Sequence, residues 1–418
     1  MKYTRIPATW PPGKGVKRLA PAFHFFDSAS TTPCIPEAAD LVRHFCADSY
    51  GHPSSTHALG QQSARAIREA RLFFGEIFQV APEQIIFTGG GTESDNLAIY
   101  GLTVPYLASK HSSSVGTPRA LASATEHPAV KKTILSLKDI AVDSLLIPVN
   151  EQGQIETEKL CSRLNPSTFL VSIHQANNIT GAILPVEELA REVKKQVPGA
   201  LFHTDAVQSF GKIRVPAAPS PVDLISISGH KVGGPKGIGA LVVLNSKLLT
   251  SSRFRPMIWG GEQENGWRSG TQNAGLIAAF HYAAERTLRN MKASREHALL
   301  LQTRLKERLS AASPSVRWNS PESALPQIVS LSVPGFSAGP LARLLEERGF
   351  LVATGSACSS KKPEPDPTLT AMGLPEAVCT SSLRISFSRP NQAEHVDALV
   401  DALNDSISCM RRLGGGAL

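Results

Sequence analysis

The chain has 418 residues and a formal net charge of +8, with 42% hydrophobic against 19% charged side chains. That length exceeds one ordinary core and that balance excludes disorder, so a soluble globular protein of two domains is expected. Residues 1–26 hold Lys2, Arg5, Lys14, Lys17 and Arg18 and no acid; the rest of the chain is nearly balanced and lacks the basic surface that nucleic acid requires.

Residues 1–26, with Pro7, Pro11, Pro12 and Gly13, read as a basic irregular arm. The arm has no apolar core or cleavage-like end of a secretory signal, while a cleavable organelle-targeting role is left open. No run approaches the roughly 18 apolar residues of a membrane span. Residues 23–26 predict a short strand entering a polar turn at 27–32, and a helix follows from Pro36 to about Tyr50. Between His57 and Phe78, Ile67, Ala70, Phe74, Ile77 and Phe78 recur at three- and four-residue steps, which predicts an amphipathic helix. Residues 85–87 predict a buried strand, followed by a Gly-rich turn and a helical run at 96–102. Further strands are expected at 120–124, 145–149, 169–174, 201–203, 224–227 and 239–244, with a helix at 186–197. Strands alternating with helices predict an α/β domain with a largely parallel sheet.

From Gln272 the texture changes. Helical stretches run to about Ser310 with a break, followed by strands near 328–333, 350–352 and 383–387 and helices at 340–348 and 393–412. The expected division is a basic arm at 1–26, a large α/β domain at 37–271, and a smaller α+β domain from 27–36 and 272–418. The six cysteines (Cys34, Cys46, Cys161, Cys358, Cys379, Cys409) form no C-x-x-C pair, so neither a metal site nor a disulfide framework is indicated. Reduced thiols in a cytoplasmic compartment are the default.

The chemistry gathers at strand ends. Lys231 follows the apolar strand 224–227 in a Gly/Pro-rich turn. It is either a surface loop lysine or a Schiff-base lysine, whose amine desolvation makes nucleophilic. The triple glycine at 89–91, between a strand and a helix, suits a phosphate, with Gly91 and Thr92 as contacts; a structural turn is the alternative. It matches neither a Walker loop nor G-x-G-x-x-G, since Ser94 stands where the last glycine should be. Asp205 ends an apolar strand and needs a partner such as a protonated ring nitrogen. A phosphate-binding turn, a buried Asp and a strand-end Lys together describe what pyridoxal 5'-phosphate requires.

Three further residues carry polar chemistry. His127 follows a strand and is either structural or a proton shuttle beside a cofactor. Arg384 lies within an apolar strand and needs an anion, for which a substrate carboxylate is a bidentate match. Cys358 lies in a segment, 355–368, without large apolar side chains, which predicts mobility. Beside Lys361 and Lys362 its thiol gains thiolate character, which Glu364 and Asp366 partly oppose.

Several motifs in this order and spacing resemble the cysteine desulfurases, class V aminotransferases of the fold-type I pyridoxal-phosphate enzymes. They are Phe87-Thr-Gly-Gly-Gly-Thr-Glu-Ser-Asp-Asn-Leu97, Thr125-Glu-His127, His203-Thr-Asp-Ala-Val-Gln-Ser209, Ser228-Gly-His-Lys231, Arg268-Ser-Gly-Thr271 and Gly355-Ser-Ala-Cys-Ser359. The resemblance covers about residues 24–412 and implies the roles that follow. Lys231 would bind the cofactor aldehyde, Asp205 the pyridine nitrogen and Gln208 the ring hydroxyl, with His127 stacked on the ring as acid/base. Gly91, Thr92, Ser228 and His230 would hold the phosphate, with Thr271 reaching in from the other subunit of a homodimer. Asn178 and Arg384 would hold the carboxylate of L-cysteine. Cys358, in a segment similar to the long-loop group tied to iron–sulfur assembly and tRNA thiolation, would take the sulfur as a persulfide, releasing alanine. A protein sulfur acceptor is implied; a membrane or direct nucleic-acid partner is not.

The chain departs from that pattern in four places. Ile179 stands where Glu is frequent, His52 where Asn usually precedes Pro53, and the loop 260–266 lacks a glycine and an arginine. The end at Gly414-Gly-Gly-Ala-Leu418 lacks the tail that some relatives use to dock a scaffold. The alternatives are a selenocysteine lyase or other C–S lyase using the same cofactor, and a non-catalytic relative, which the intact Lys231, Asp205, His127, Cys358 and Arg384 set opposes.

Overall fold

The structure, a computed structural model, describes residues 23–109, 116–312, 316–355 and 364–412. A short strand, β1 (His24–Phe25), comes first. Seven strands then build the main sheet: β2 (Ile85–Thr88), β3 (Arg119–Ser123), β4 (Asp143–Ile147), β5 (Thr168–Ser172), β6 (Leu201–Asp205), β7 (Leu224–Ser228) and β8 (Gly239–Val243). Their order across the sheet is β2-β8-β7-β6-β5-β3-β4. Only β8 runs against its neighbours, so the sheet is mixed and mostly parallel, as the alternating pattern predicts.

Helices cover both faces, which is why β2, β5, β6, β7 and β8 are buried along their whole length, their few polar residues included. Alternate residues serve opposite faces. Ile85, Phe87 and Ile225 pack with Phe74 and Phe78 of the helix Ala58–Phe78. Ile86, Leu224 and Leu241 pack with Leu97 and Leu102 of the helix Gly91–Ala108. That helix begins at the third glycine, earlier than the apolar run at 96–102 indicates. It also tolerates Pro105, because the Gly101 carbonyl that Pro105 cannot bond accepts the Arg255 N–H at 2.9 Å instead.

The stretch after Gln272 is two helices, Ala274–Arg289 and Met291–Ala312, separated at Asn290. The first packs Ile277 and Phe280 onto the large-sheet core. A second sheet joins β9 (Arg317–Trp318), β10 (Ile328–Ser332), β12 (Ala353–Thr354) and β13 (Ser382–Ser386), while β11 (Phe350–Leu351) pairs in parallel with β1. Phe26 shares the core of this second unit with Leu331, Leu341, Leu383 and Leu399, and Asp27 bridges to Ser386 of β13.

Cys358, Lys361 and Lys362 lie outside the described residues, as does most of the N-terminal arm. The expectation of an unanchored segment through 368 is corrected at its far end. Asp366 is fully buried and caps the helix Pro367–Ala371, accepting from Thr368 N at 2.8 Å and Leu369 N at 2.9 Å. A polar cap anchors that end where no apolar side chain is available.

Candidate active site

Parallel strands present their carboxyl ends at one edge of the sheet, and ligands of such folds bind there. At this edge Asp205 and Ser228 end β6 and β7, and the segments leaving β2, β3 and β5 carry Gly91, His127 and Asn178.

Lys231 closes a single 3₁₀ turn, Gly229–Lys231, directly after β7. It is no solvated loop lysine. Its Nζ donates to Ala29 O at 2.6 Å and Ser30 O at 2.7 Å. Burial first, and then the Arg384 charge, lower its pKa from 10.5 to about 8, with Asp205 and Asp27 acting in the opposite direction. A substantial fraction of free amine therefore exists near neutral pH. His230 beside it sits with Nδ1 3.2 Å from Thr31 Oγ1, and burial followed by three nearby lysines pulls it to about 4, so its imidazole is neutral.

Asp205, at the end of β6, is buried, and its Oδ1 accepts the Val207 N–H at 2.8 Å. One turn further, Gln208 donates from Nε2 to Ala29 O at 2.8 Å, sharing that carbonyl with Lys231. Lys212 supports Gln208 from behind, donating to its carbonyl at 2.9 Å; burial, then Lys231, lower this second lysine to about 7.

Gly91 and Thr92 start an 18-residue helix whose N-cap, Gly90, offers no side-chain cap. Backbone N–H groups at that end are free to meet an anion. A Cβ on Gly91 would stand 2.7 Å from Val207 Cγ2 and 3.6 Å from Ser228 Cβ, so only glycine lets the helix start so close to the ends of β6 and β7. His127 caps the helix Pro128–Ser136, and its Nδ1 accepts Ala129 N at 3.1 Å. The acceptor role fixes the tautomer, leaving the ring proton on Nε2. Burial lowers the His127 pKa, and Asp205 acts against that.

Arg384 approaches from β13. Its Nη1 donates to Asn178 O at 2.9 Å, and its Nη2 to Asp27 Oδ1 and Ser30 Oγ, each at 2.6 Å. The anion that a buried arginine requires is thus supplied in part by Asp27. Its Nε remains buried without a partner. Sequence reasoning marked 27–32 as a polar turn and missed that Asp27, Ala29 and Ser30 hold both the lysine and the arginine. Asp27 in a Ser/Thr-rich turn was the available signal.

Thr271 is not brought to the site within this chain. It is exposed, next to a loop with Met257, Ile258 and Trp259 exposed, the last 72%. The Ser269 N–H donates to Ile258 O at 3.2 Å, joining the two segments.

Residues 24–399 match the family model described as aminotransferase class-V. A protein of Trichormus azollae named cysteine desulfurase is 33% identical over 390 residues, 93% of this chain and 94% of that protein. A mitochondrial cysteine desulfurase of Saccharomyces cerevisiae is likewise 33% identical, over 93% of this chain and 76% of the relative. A solved structure titled NifS-like protein superposes with a TM-score of 0.84 at 30% identity, covering 93% of this chain and all of that one.

Proposed function

This chain belongs to the aminotransferase class-V family, and we propose that within it the protein is a pyridoxal-phosphate-dependent cysteine desulfurase, converting L-cysteine to L-alanine and a persulfide on Cys358. The observation that carries the reading is Lys231. It is a strand-end amine that burial brings to about 8, within electrostatic reach of Asp205 and Arg384.

The residues fit the cofactor. The close approach at Gly91, the uncapped helix start, Ser228 and neutral His230 suit a phosphate. Asp205 has one oxygen on Val207 N, leaving Oδ2 for a ring nitrogen, with Gln208 held on Ala29 O one turn further. Bound pyridoxal phosphate would supply an aldehyde for an amino group and a ring that accepts the electron pair left by a departing Cα proton. The Lys231 amine, with its pKa of about 8, would have the proton affinity to take that Cα proton. His127 carries a proton on Nε2 that it can place on a neighbouring acceptor. Arg384, with Nε free, reads the substrate carboxylate, displacing part of its hold on Asp27. Cys358 Sγ, as thiolate, bonds to the substrate sulfur while the sulfur–carbon bond breaks; the carbon keeps that electron pair and, once protonated, leaves as alanine.

Exposure of Thr271, Met257, Ile258 and Trp259 on one face supports a homodimer that brings Thr271 to the partner's phosphate. Cys34, Cys46, Cys161, Cys379 and Cys409 are all free thiols, which supports a reducing, cytoplasmic setting. No helix among the described residues is long and apolar enough to cross a membrane. A protein sulfur acceptor, in iron–sulfur or thio-cofactor assembly, would complete the turnover.

Purified protein mixed with pyridoxal phosphate should gain visible absorbance, and cysteine should then yield alanine with one persulfide label on Cys358. Lys231→Ala should abolish alanine formation, by a factor on the order of a thousand or more. Absence of absorbance after adding the cofactor overturns the cofactor reading, and absence of persulfide on Cys358 overturns the desulfurase.

A further inference from the structure

Two histidines are buried behind the sheet edge that carries Asp205, in opposite electrostatic settings. His203, within β6, meets two hydroxyls, Ser172 Oγ at 2.8 Å and Ser226 Oγ at 2.9 Å. Burial pulls it to about 3, and its neighbour Asp95, 3.7 Å away, is pushed far upward by burial and by Asp205. His203 is therefore neutral, and Asp95 is biased toward its protonated form.

His174 faces a carboxylate. Its backbone N–H donates to Glu126 Oε1 at 2.7 Å, and its Nδ1 lies 3.0 Å from the same oxygen. Glu126 Oε2 and His174 Nε2 are buried and have no partner. Replacing a buried ion pair by apolar side chains of the same volume is often neutral or stabilising, so stability alone does not account for the pair. The bonds around it supply one. Glu126 directly precedes His127, and the Thr125 carbonyl accepts from Asn177 Nδ2 at 3.0 Å. His174 directly precedes Gln175, whose N–H donates to Asp205 O at 3.0 Å. A continuous path runs from His127 through Glu126, His174 and Gln175 to Asp205.

We propose that Glu126 and His174 are positioning residues, which fix the spacing of the His127 imidazole and the Asp205 carboxylate and keep a positive charge behind that carboxylate. Burial opposes charge on His174, but Glu126, with Asp205 beyond it, outweighs burial and holds its pKa above the ordinary imidazole value. Burial in turn raises Glu126, against the pull of His174. His127 also lies within reach of the His174 charge, and Asp95 within reach of Glu126 and Asp205. His174 and Asp205 lie within electrostatic reach of one another, so the pair acts on the carboxylate that would face a ring nitrogen.

The role toward the cofactor rests on the proposed function, whereas the proton on the pair does not. Nitrogen-15 histidine spectra of the full chain without cofactor should show His174 titrating above the ordinary imidazole value, and Glu126→Gln should abolish that rise. Titration at or below the ordinary value in the unmodified protein overturns the proposal. In the loaded protein, His174→Gln keeps a donor for Glu126 and loses the charge. It should retain the melting temperature, move the pH midpoint of the cofactor absorbance by about one unit, and lower kcat about tenfold with KM little changed. His174→Met should do the same and lose melting temperature as well. A wild-type midpoint and kcat in His174→Gln, with only His174→Met destabilised, reduces the pair to a structural strut and overturns the role. Failure of the unmodified protein to take up pyridoxal phosphate would instead remove the proposed function, with the spectra still deciding the pair.

Discussion

At the edge of the large sheet the candidate groups are held by backbone; at the seam between residues 27–32 and β13 they are held by one another. His127 rests on Ala129 N, and Asp205 on Val207 N. Arg384 rests on Asp27 and Ser30 side chains, with one bond to the Asn178 carbonyl. Backbone partners cannot leave without unfolding a turn, so the edge is preset for a resident group. Side-chain partners can be exchanged for a ligand's carboxylate at the cost of one ion pair, so the seam suits a substrate that comes and goes. Lys231 spans the two, with its chain fixed to β7 and its amine on the carbonyls of the seam.

The largest effect that tests this contrast is expected at the seam. Arg384→Ala should raise KM for cysteine roughly a hundredfold, the loss of a charge-assisted contact of about 2–3 kcal/mol, with a smaller change in kcat. Removing this cation should also raise the Lys231 pKa and so reduce its free amine at neutral pH. A fall in kcat alone, with KM intact, would put Arg384 on the preset side and break the distinction.

An intermediate effect is expected at the edge. Gly91→Ala places a Cβ against Val207 Cγ2, so cofactor affinity should drop about tenfold while substrate KM in the loaded protein stays put. Val207→Ala in the same chain should recover most of that affinity, measured by equilibrium titration of absorbance. No recovery would mean that the helix start needs glycine for another reason.

The smallest effect concerns Lys212, held near 7 by burial. Between that value and 10.5 the unfolded chain binds a proton that the folded chain does not, so the wild type gains stability as pH rises through this window. Lys212→Met should flatten the gain, with its melting temperature relative to wild type highest at pH 7 and falling toward pH 10. Lys231 adds the same sign above about 8 in both proteins and cancels in the comparison. Parallel curves would show that Lys212 stays charged.

What was legible in the sequence is what short-range patterning controls. Short apolar runs marked the strands of the main sheet, period-3.6 spacing marked the helix Ala58–Phe78, and chemistry at strand ends marked Lys231, Asp205, Gly91 and His127. The start of the helix at Gly91 was hidden because glycine is a poor helix former, and here the close approach to Val207 outweighs propensity.

Only tertiary structure decided which partners those groups have. Asp27 and Arg384 are separated by 357 residues, and Glu126 and His174 by 48, so no local pattern announces either pair. The sequence alone determined which residues stand at strand ends, because strand and helix periods are local. Their proton affinities and freedom to bind were set by burial and by charges brought from elsewhere in the chain. Lys231, His174 and Lys212 are the clearest cases.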